Sequence, residues 1–299
     1  MTYDARIRVA KLSPIGASED FEKAPAERDL TIIEPSSGWR AVNLRELWRF
    51  RELLYFLTWR DVKVRYKQTA IGAFWAVLQP FLTMVIFTIL FGRLAKISSD
   101  NIPYPVFSYS GLLPWTFFAN AIGLAGLSLV TNANMIAKIY FPRLLMPAAA
   151  VLGATLDFCL AFVILIAMMF YYGITPGIAT LALPLFLALA IFTALGISLW
   201  LSALNVKYRD IRYVIPFLTQ VWMFLTPVLY PSSMIPEKWR LIYGLNPMSG
   251  VVEGFRWSLL GTEKAPGAMI LVSAAVVVLL FVGGLFYFRR MEREFADVI

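Results

Sequence analysis

The chain has 299 residues, 59% of them hydrophobic and 15% charged, with a formal net charge of +8 and a mean hydropathy of +0.69. Soluble domains average about 45–50% apolar and about 25% charged residues, so this balance excludes a soluble globular protein and indicates a membrane one. The positive charge sits beside apolar runs, where Lys and Arg mark the cytoplasmic side, which argues against a nucleic-acid partner.

A single cysteine, Cys159, lies in an apolar run, so no intrachain disulfide is possible. The chain has no histidine. That removes the usual His-type zinc sites, Ser-His-Asp triads and HExxH chemistry, and no catalytic residue or metal site is expected.

In chain order, residues 1–41 read as a flexible cytosolic tail, with mixed charge, Pro14, Pro25 and Pro35, and no apolar signal segment. Residues 42–69 form an amphipathic region. Between 42 and 58, Leu44, Leu47, Trp48, Leu54 and Tyr55 share one helical face, with Arg45, Arg49 and Glu52 largely on another. A helix lying in the cytoplasmic interface is expected, with packing on a partner protein as the alternative.

Residues 70–288 read as an all-α transmembrane domain. Six runs are long enough to span at roughly 20 residues each: 71–94, 109–130, 147–172, 178–204, 213–230 and 268–288. Cations concentrate on one set of connections: Arg60, Lys63, Arg65 and Lys67 before the first span, Lys138 and Arg143, Lys207, Arg209 and Arg212, then Arg289, Arg290 and Arg293. The other side holds Arg93, Lys96, Lys238, Arg240, Arg256 and Lys264. Both termini, including the tail at 289–299, therefore face the cytoplasm of a multi-pass protein. Asp157 is the sole acid inside an expected span; it bonds a neighbouring helix or lines a path.

Residues 231–267 are neither loop nor span. Pro231, Pro236 and Pro247 break them into pieces too short to cross, with Trp239, Arg240, Glu253, Arg256 and Trp257 among them. Backbone broken at membrane depth needs protein or a water-filled cavity around it, so re-entrant helices forming an outer gate are expected. A loop lying on the bilayer is the alternative.

The motifs LNVKYRD, TPVLYPSSMIPEKWR and LNPMSGVVEGFR occur between 204 and 260. WRDVKVRYKQTAIGAFWAVLQP occupies 59–80, GLLPWTFF 111–118, NANMIAKIYFPRLLMP 132–147 and FRRMEREFADVI 288–299. In this order they resemble the membrane subunits of ABC type-2 exporters, nearest to those exporting O-antigen, capsule or teichoic acid. The resemblance implies a homodimeric permease in the bacterial inner membrane, two separate ABC ATPase subunits and a lipid-linked glycan as cargo, with membrane lipids around it. No GxxxxGK[ST] loop exists in this chain, so ATP and Mg belong to the partner and no cofactor to this subunit.

The resemblance also implies that the connections carrying Lys138, Tyr140, Phe141 and Arg143, and Lys207, Tyr208, Arg209 and Asp210, receive the ATPase's movement. Plain positive-inside anchoring is the alternative reading. Sugar rings pack their C–H faces on aromatic rings. Phe74, Trp75, Phe81 and Phe87 in the first span, with Phe217, Trp222, Phe224 and Tyr230 in the fifth, are therefore candidate channel residues, as is Asp157. Membrane belts and lipid-facing packing account for aromatics equally well. Two other functions compete: an ABC type-2 permease for a drug, haem or lipid, and a membrane-embedded enzyme of glycan assembly. The second calls for a cluster of carboxylates or histidines, which the sequence lacks.

Overall fold

The computed structural model describes residues 5–9, 31–35, 44–67, 72–261, 267–292 and 295. The chain divides into two units, Met1–Asn43 and Leu44–Ile299. Most of the tail at 1–41, the loop holding Lys264, and Arg293 lie outside the described residues.

In the first unit, the described residues are those of two strands. Strands β1 (Ala5–Val9) and β2 (Thr31–Pro35) pair antiparallel, with Ile7 opposite Ile33 and Ala5 opposite Pro35. The alternation in ARIRV has the period of a strand, a signal hidden among the unit's prolines and mixed charges. The all-helical expectation holds for the second unit.

That unit opens with α1 (Leu44–Arg49) and α2 (Arg51–Lys67), both within the region 42–69 read as amphipathic. Next come α3 (Gly72–Phe87), a π-helical turn at Thr88–Leu94, α4 (Tyr104–Thr131), α5 (Ala133–Lys138) and α6 (Leu145–Tyr171). A 3₁₀ turn (Ile178–Ala182) leads into α7 (Leu183–Lys207) and then α8 (Ile211–Phe224). After α9 (Glu237–Tyr243) and α10 (Pro247–Leu260), α11 (Gly267–Met291) completes the unit. Among the described residues, five helical stretches are long and apolar enough to cross a membrane: 74–94, 104–131, 145–171, 178–207 and 267–291.

Helix α4 is the central post. Of its most apolar stretch 61% is buried, against 11% for the α3 stretch, because α3, α6, α7, α8 and α10 all pack on it. A helix that is apolar all round is one that neighbours surround.

Helices α7 and α11 run in the same direction. Phe192 meets Phe281 at 5.2 Å, Gly196 backs onto Gly284, and Trp200 stacks on Tyr287 at 4.6 Å, so both numberings advance together. The chain between them must therefore traverse the bundle once. Helix α8 has 14 residues, about 21 Å at 1.5 Å each, short of a hydrocarbon core of about 30 Å. Residues 225–230 complete the traverse as non-helical chain. Ile215 lies on Gly126, Trp222 on Phe118, the Val228 carbonyl by Gly111, and the Leu229 carbonyl accepts from Tyr104 Oη at 3.0 Å. Residues 225–230 run as turns and bends, with the Leu225, Thr226 and Val228 N–H groups bonding the carbonyls of Trp222, Met223 and Thr226. The fifth expected span is thus a helix to Phe224 and a segment of turns beyond it.

Candidate functional site

The non-helical segment poses a physical problem, since its carbonyls lack helical partners inside the bundle. Arg256 on α10 answers it. Its guanidinium donates through Nη1 to the carbonyls of Pro227 and Tyr230, and through Nη2 to those of Val228 at 2.7 Å and Phe107 at 3.3 Å. The group lies 3.7 Å above the Phe107 ring and is 1% exposed. Gly111 makes room for it, as a Cβ there would lie 2.6 Å from Nη2. Charge balance comes from Glu253, whose Oε1 is 3.4 Å from Nη1 and whose Oε2 accepts from Ser232 Oγ at 2.9 Å.

Asn246 secures the same segment from the other side. It is the N-cap of α10, accepting from the Met248 N–H at 3.1 Å, with Pro247 in the first turn and Gly261 at φ 63° ending the helix. Its Oδ1 also accepts from Trp222 Nε1 at 2.9 Å, and its Nδ2 donates to the Leu225 carbonyl and Thr226 Oγ1, both at 3.0 Å. Tyr230 and Tyr243 join their hydroxyls, and Ser273 Oγ donates to the Gly244 carbonyl at 2.9 Å. Arg256 and Glu253 are therefore internal. Arg240 donates to the Ile235 carbonyl at 3.2 Å, Trp257 packs edge-on to Phe186, and Trp239 is exposed.

Asp157 sits midway along α6, and α2 rises alongside to meet it. Leu57 and Met146 share one cluster, Val62 and Arg65 flank Gly153, and Arg65 Nη1 lies 2.6 Å from Asp157 Oδ2. The Tyr66 hydroxyl bonds Asp157 Oδ1; burial, with this carboxylate as acceptor, pushes the Tyr66 phenol up. At the base of α2, Arg60 binds Asp61 at 2.8 Å and Asn132 at 2.9 Å. Asp157 is thus held by the helix that precedes the first span.

The candidate aromatics separate into two groups. Trp222 packs edge-on to Phe118 at 5.2 Å, Phe87 packs on Phe91 at 5.6 Å, and Tyr230 donates to the Phe224 carbonyl at 3.2 Å. Phe74, Trp75, Phe81, Phe217 and Phe224 are exposed. On α8 the exposed strip is Tyr213, Phe217, Gln220 and Phe224; on α3 it is Trp75, Gln79, Leu82 and Ile86. Each strip steps by four, three and four residues, one helix face, and each carries one glutamine in its middle.

At the opposite end, one apolar cluster joins Leu57, Leu129, Ile136, Phe141, Val206, Phe288 and Phe295, so the basic connections and the end of α11 converge there. Phe141 is buried. Arg143 donates its Nη1 to the Glu292 carbonyl, its N–H reaches Glu292 Oε1 at 3.4 Å, and its guanidinium lies over Phe295. Lys138 and Tyr140 are exposed, as are Lys207, Tyr208, Arg209 and Asp210. The second turn therefore presents more charge to its surroundings than the first.

Sequence reasoning did not single out Arg65, Tyr66, Asn246, Gln79 or Gln220. For Asn246 a signal exists: Asn-Pro before an apolar run is an N-terminal cap. The Arg65–Asp157 pair joins residues 92 apart in sequence and leaves no local trace.

The sequence profile described as ABC-2 type transporter matches residues 52–260. The chain is 31% identical over 250 residues to the O-antigen export system permease protein RfbA of Klebsiella pneumoniae, covering 83% of this chain and 95% of that protein. Its likeness to RfbA of Myxococcus xanthus is 30% over 262 residues, 86% and 98% of the two chains. The polysialic acid transport protein KpsM of Escherichia coli is 24% identical over 238 residues, 78% and 91% of the two.

Proposed function

The chain belongs to the ABC-2 type transporter family, and from that membership we propose that it is the membrane permease of a polysaccharide exporter resembling those for O-antigen and capsule. Two copies stand together in the inner membrane with two ABC ATPase subunits, and ATP turnover there moves a lipid-linked glycan outward. Five helices and the composite α8 traverse make six crossings, with both termini on the cytoplasmic side.

The observation that carries the pathway is the placement of Gln79 and Gln220. Each is exposed on a span between exposed aromatic or aliphatic neighbours. An amide facing hydrocarbon without a partner costs roughly 2–7 kcal/mol. Water beside a glycan, or the second copy, removes that cost. The exposed rings of Trp75, Phe217 and Phe224 then offer flat apolar faces to sugar C–H groups, which stack without gripping. Helices α9 and α10 stand at the outer end of this path as re-entrant elements, anchored through Asn246 and Arg256. The exposed connections at Lys138–Tyr140 and Lys207–Asp210 face the ATPases.

The test is deletion of the gene in its own host. Lipid-linked glycan should accumulate inside while surface glycan disappears, and re-expression of the chain should restore both. Normal surface glycan in the deletion strain would overturn the proposal.

A further inference from the structure

A groove of about 420 Å³ opens on the flank of the bundle where α3 gives way to the π-helical turn. Its walls are apolar, from Phe81 and Met84 on α3, Ile89 in the π-helical turn and Met168 on α6, with Tyr172 just past the end of α6 and Arg93 also lining it. The π turn shapes it. The Ala95 N–H bonds the Leu90 carbonyl five residues back, and Gly92 presses so close to Tyr104 that a Cβ would lie 2.8 Å from the ring. Side chains after Thr88 are thereby re-aimed relative to an α-helix, a device that recurs at functional sites.

Arg93 is exposed and makes no hydrogen bond or ion pair among the described residues. It lies at the level where α4 begins and α6 ends in Tyr171 and Tyr172, the depth of lipid headgroups, where tyrosines gather. An apolar slot running down into the membrane from a cation at headgroup level has the complementarity of one molecule. We infer that this groove holds an acyl chain of an anionic glycerophospholipid, with the lipid's phosphate on Arg93. A guanidinium binds phosphate through paired N–H groups, which a zwitterionic headgroup partly cancels with its own cation.

The test is native mass spectrometry of the full chain in detergent, titrated with phosphatidylglycerol and with phosphatidylcholine of equal acyl length. Phosphatidylglycerol should be retained at about tenfold lower concentration. Arg93→Gln should abolish the preference, and Arg93→Lys should keep part of it. Ile89→Trp, at an exposed wall position, should fill the slot and weaken retention of both lipids, with circular dichroism confirming the fold. Equal retention of the two lipids by the native chain, an unchanged preference in Arg93→Gln, or full retention in Ile89→Trp would each reduce the groove to unselective lipid contact and overturn the site.

Discussion

Arg256 Nη2 donates to the carbonyl of Val228 at 2.7 Å, tying helix α10 to a stretch of chain that has no helix of its own. Three carbonyls of that stretch, those of Pro227, Val228 and Tyr230, end on the same guanidinium. Arg256→Met would leave them unpaired and Glu253 without its cation. Removing one partner of a buried pair costs about 3–5 kcal/mol, so the thermal transition of the purified protein should fall sharply. Arg256→Lys should rescue little, since a single ammonium cannot serve the Pro227 and Phe107 sides together. A melting curve unchanged in Arg256→Met would refute this role.

The Arg65–Asp157 pair should behave as a fastening between α2 and α6. In a double-mutant cycle of Arg65→Ala and Asp157→Ala, coupling of about 1 kcal/mol or more is expected for a half-buried, hydrogen-bonded pair. Denaturation in mixed micelles reads it. Additive single effects would show that the two side chains act separately.

Gly196→Ala should destabilise the protein. Alanine gains up to about 1 kcal/mol over glycine in an ordinary helix interior. Here the new Cβ would meet the backbone of Phe281 at 2.9 Å, and backbone cannot swing aside as a side chain can. The clash outweighs the propensity, and α7 must separate from α11. Stabilisation on thermal unfolding would reverse the argument.

Phe217→Ala and Trp222→Ala should part company. Phe217 is exposed, so its loss should lower export while leaving the melting temperature nearly unchanged. Trp222 supports Phe118 and Asn246, and its loss should lower the melting temperature first. Surface glycan and thermal stability, measured side by side, distinguish the two; a Phe217→Ala chain with full export would remove that ring from the path.

Topology can be read from thiols. Ser233 Oγ donates to Asp100 Oδ1 at 2.9 Å, placing the loop after the first span and the loop after α8 at one end of the bundle. In a Cys159→Ser background, cysteines at Ser99 and Ser233 should react with an impermeant maleimide on intact cells, and cysteines at Tyr140 and Arg209 should not. Labelling of both sets from outside would invalidate the orientation.

The long apolar helices were legible because hydropathy over some 20 residues depends on composition alone. The fifth run misled for the same reason. Residues 213–230 are apolar apart from Thr219, Gln220 and Thr226, yet the helix stops at Phe224, and hydropathy does not register where backbone bonding changes. Pro227 and Pro231 mark that change, because proline disfavours helix in the residue before it and supplies no N–H. Arg256 was legible as a costly charge near the membrane but not as the donor to carbonyls 26–29 residues earlier, since the recipients are backbone atoms of any side chain. The exposed strips of α3 and α8 needed the bundle to be assembled before their outward faces could be told from their inward ones.

The same-direction packing of α7 and α11 bears on how the protein is made. Gly196 and Trp200 emerge from the ribosome some eighty residues before Leu280, Gly284 and Tyr287, which cover them. During synthesis α7 therefore stands with Gly196 and Trp200 uncovered while α8, the turns after it and α10 are made. Closure of that face belongs to α11, and a chain that ends before it leaves Gly196 and Trp200 without these neighbours.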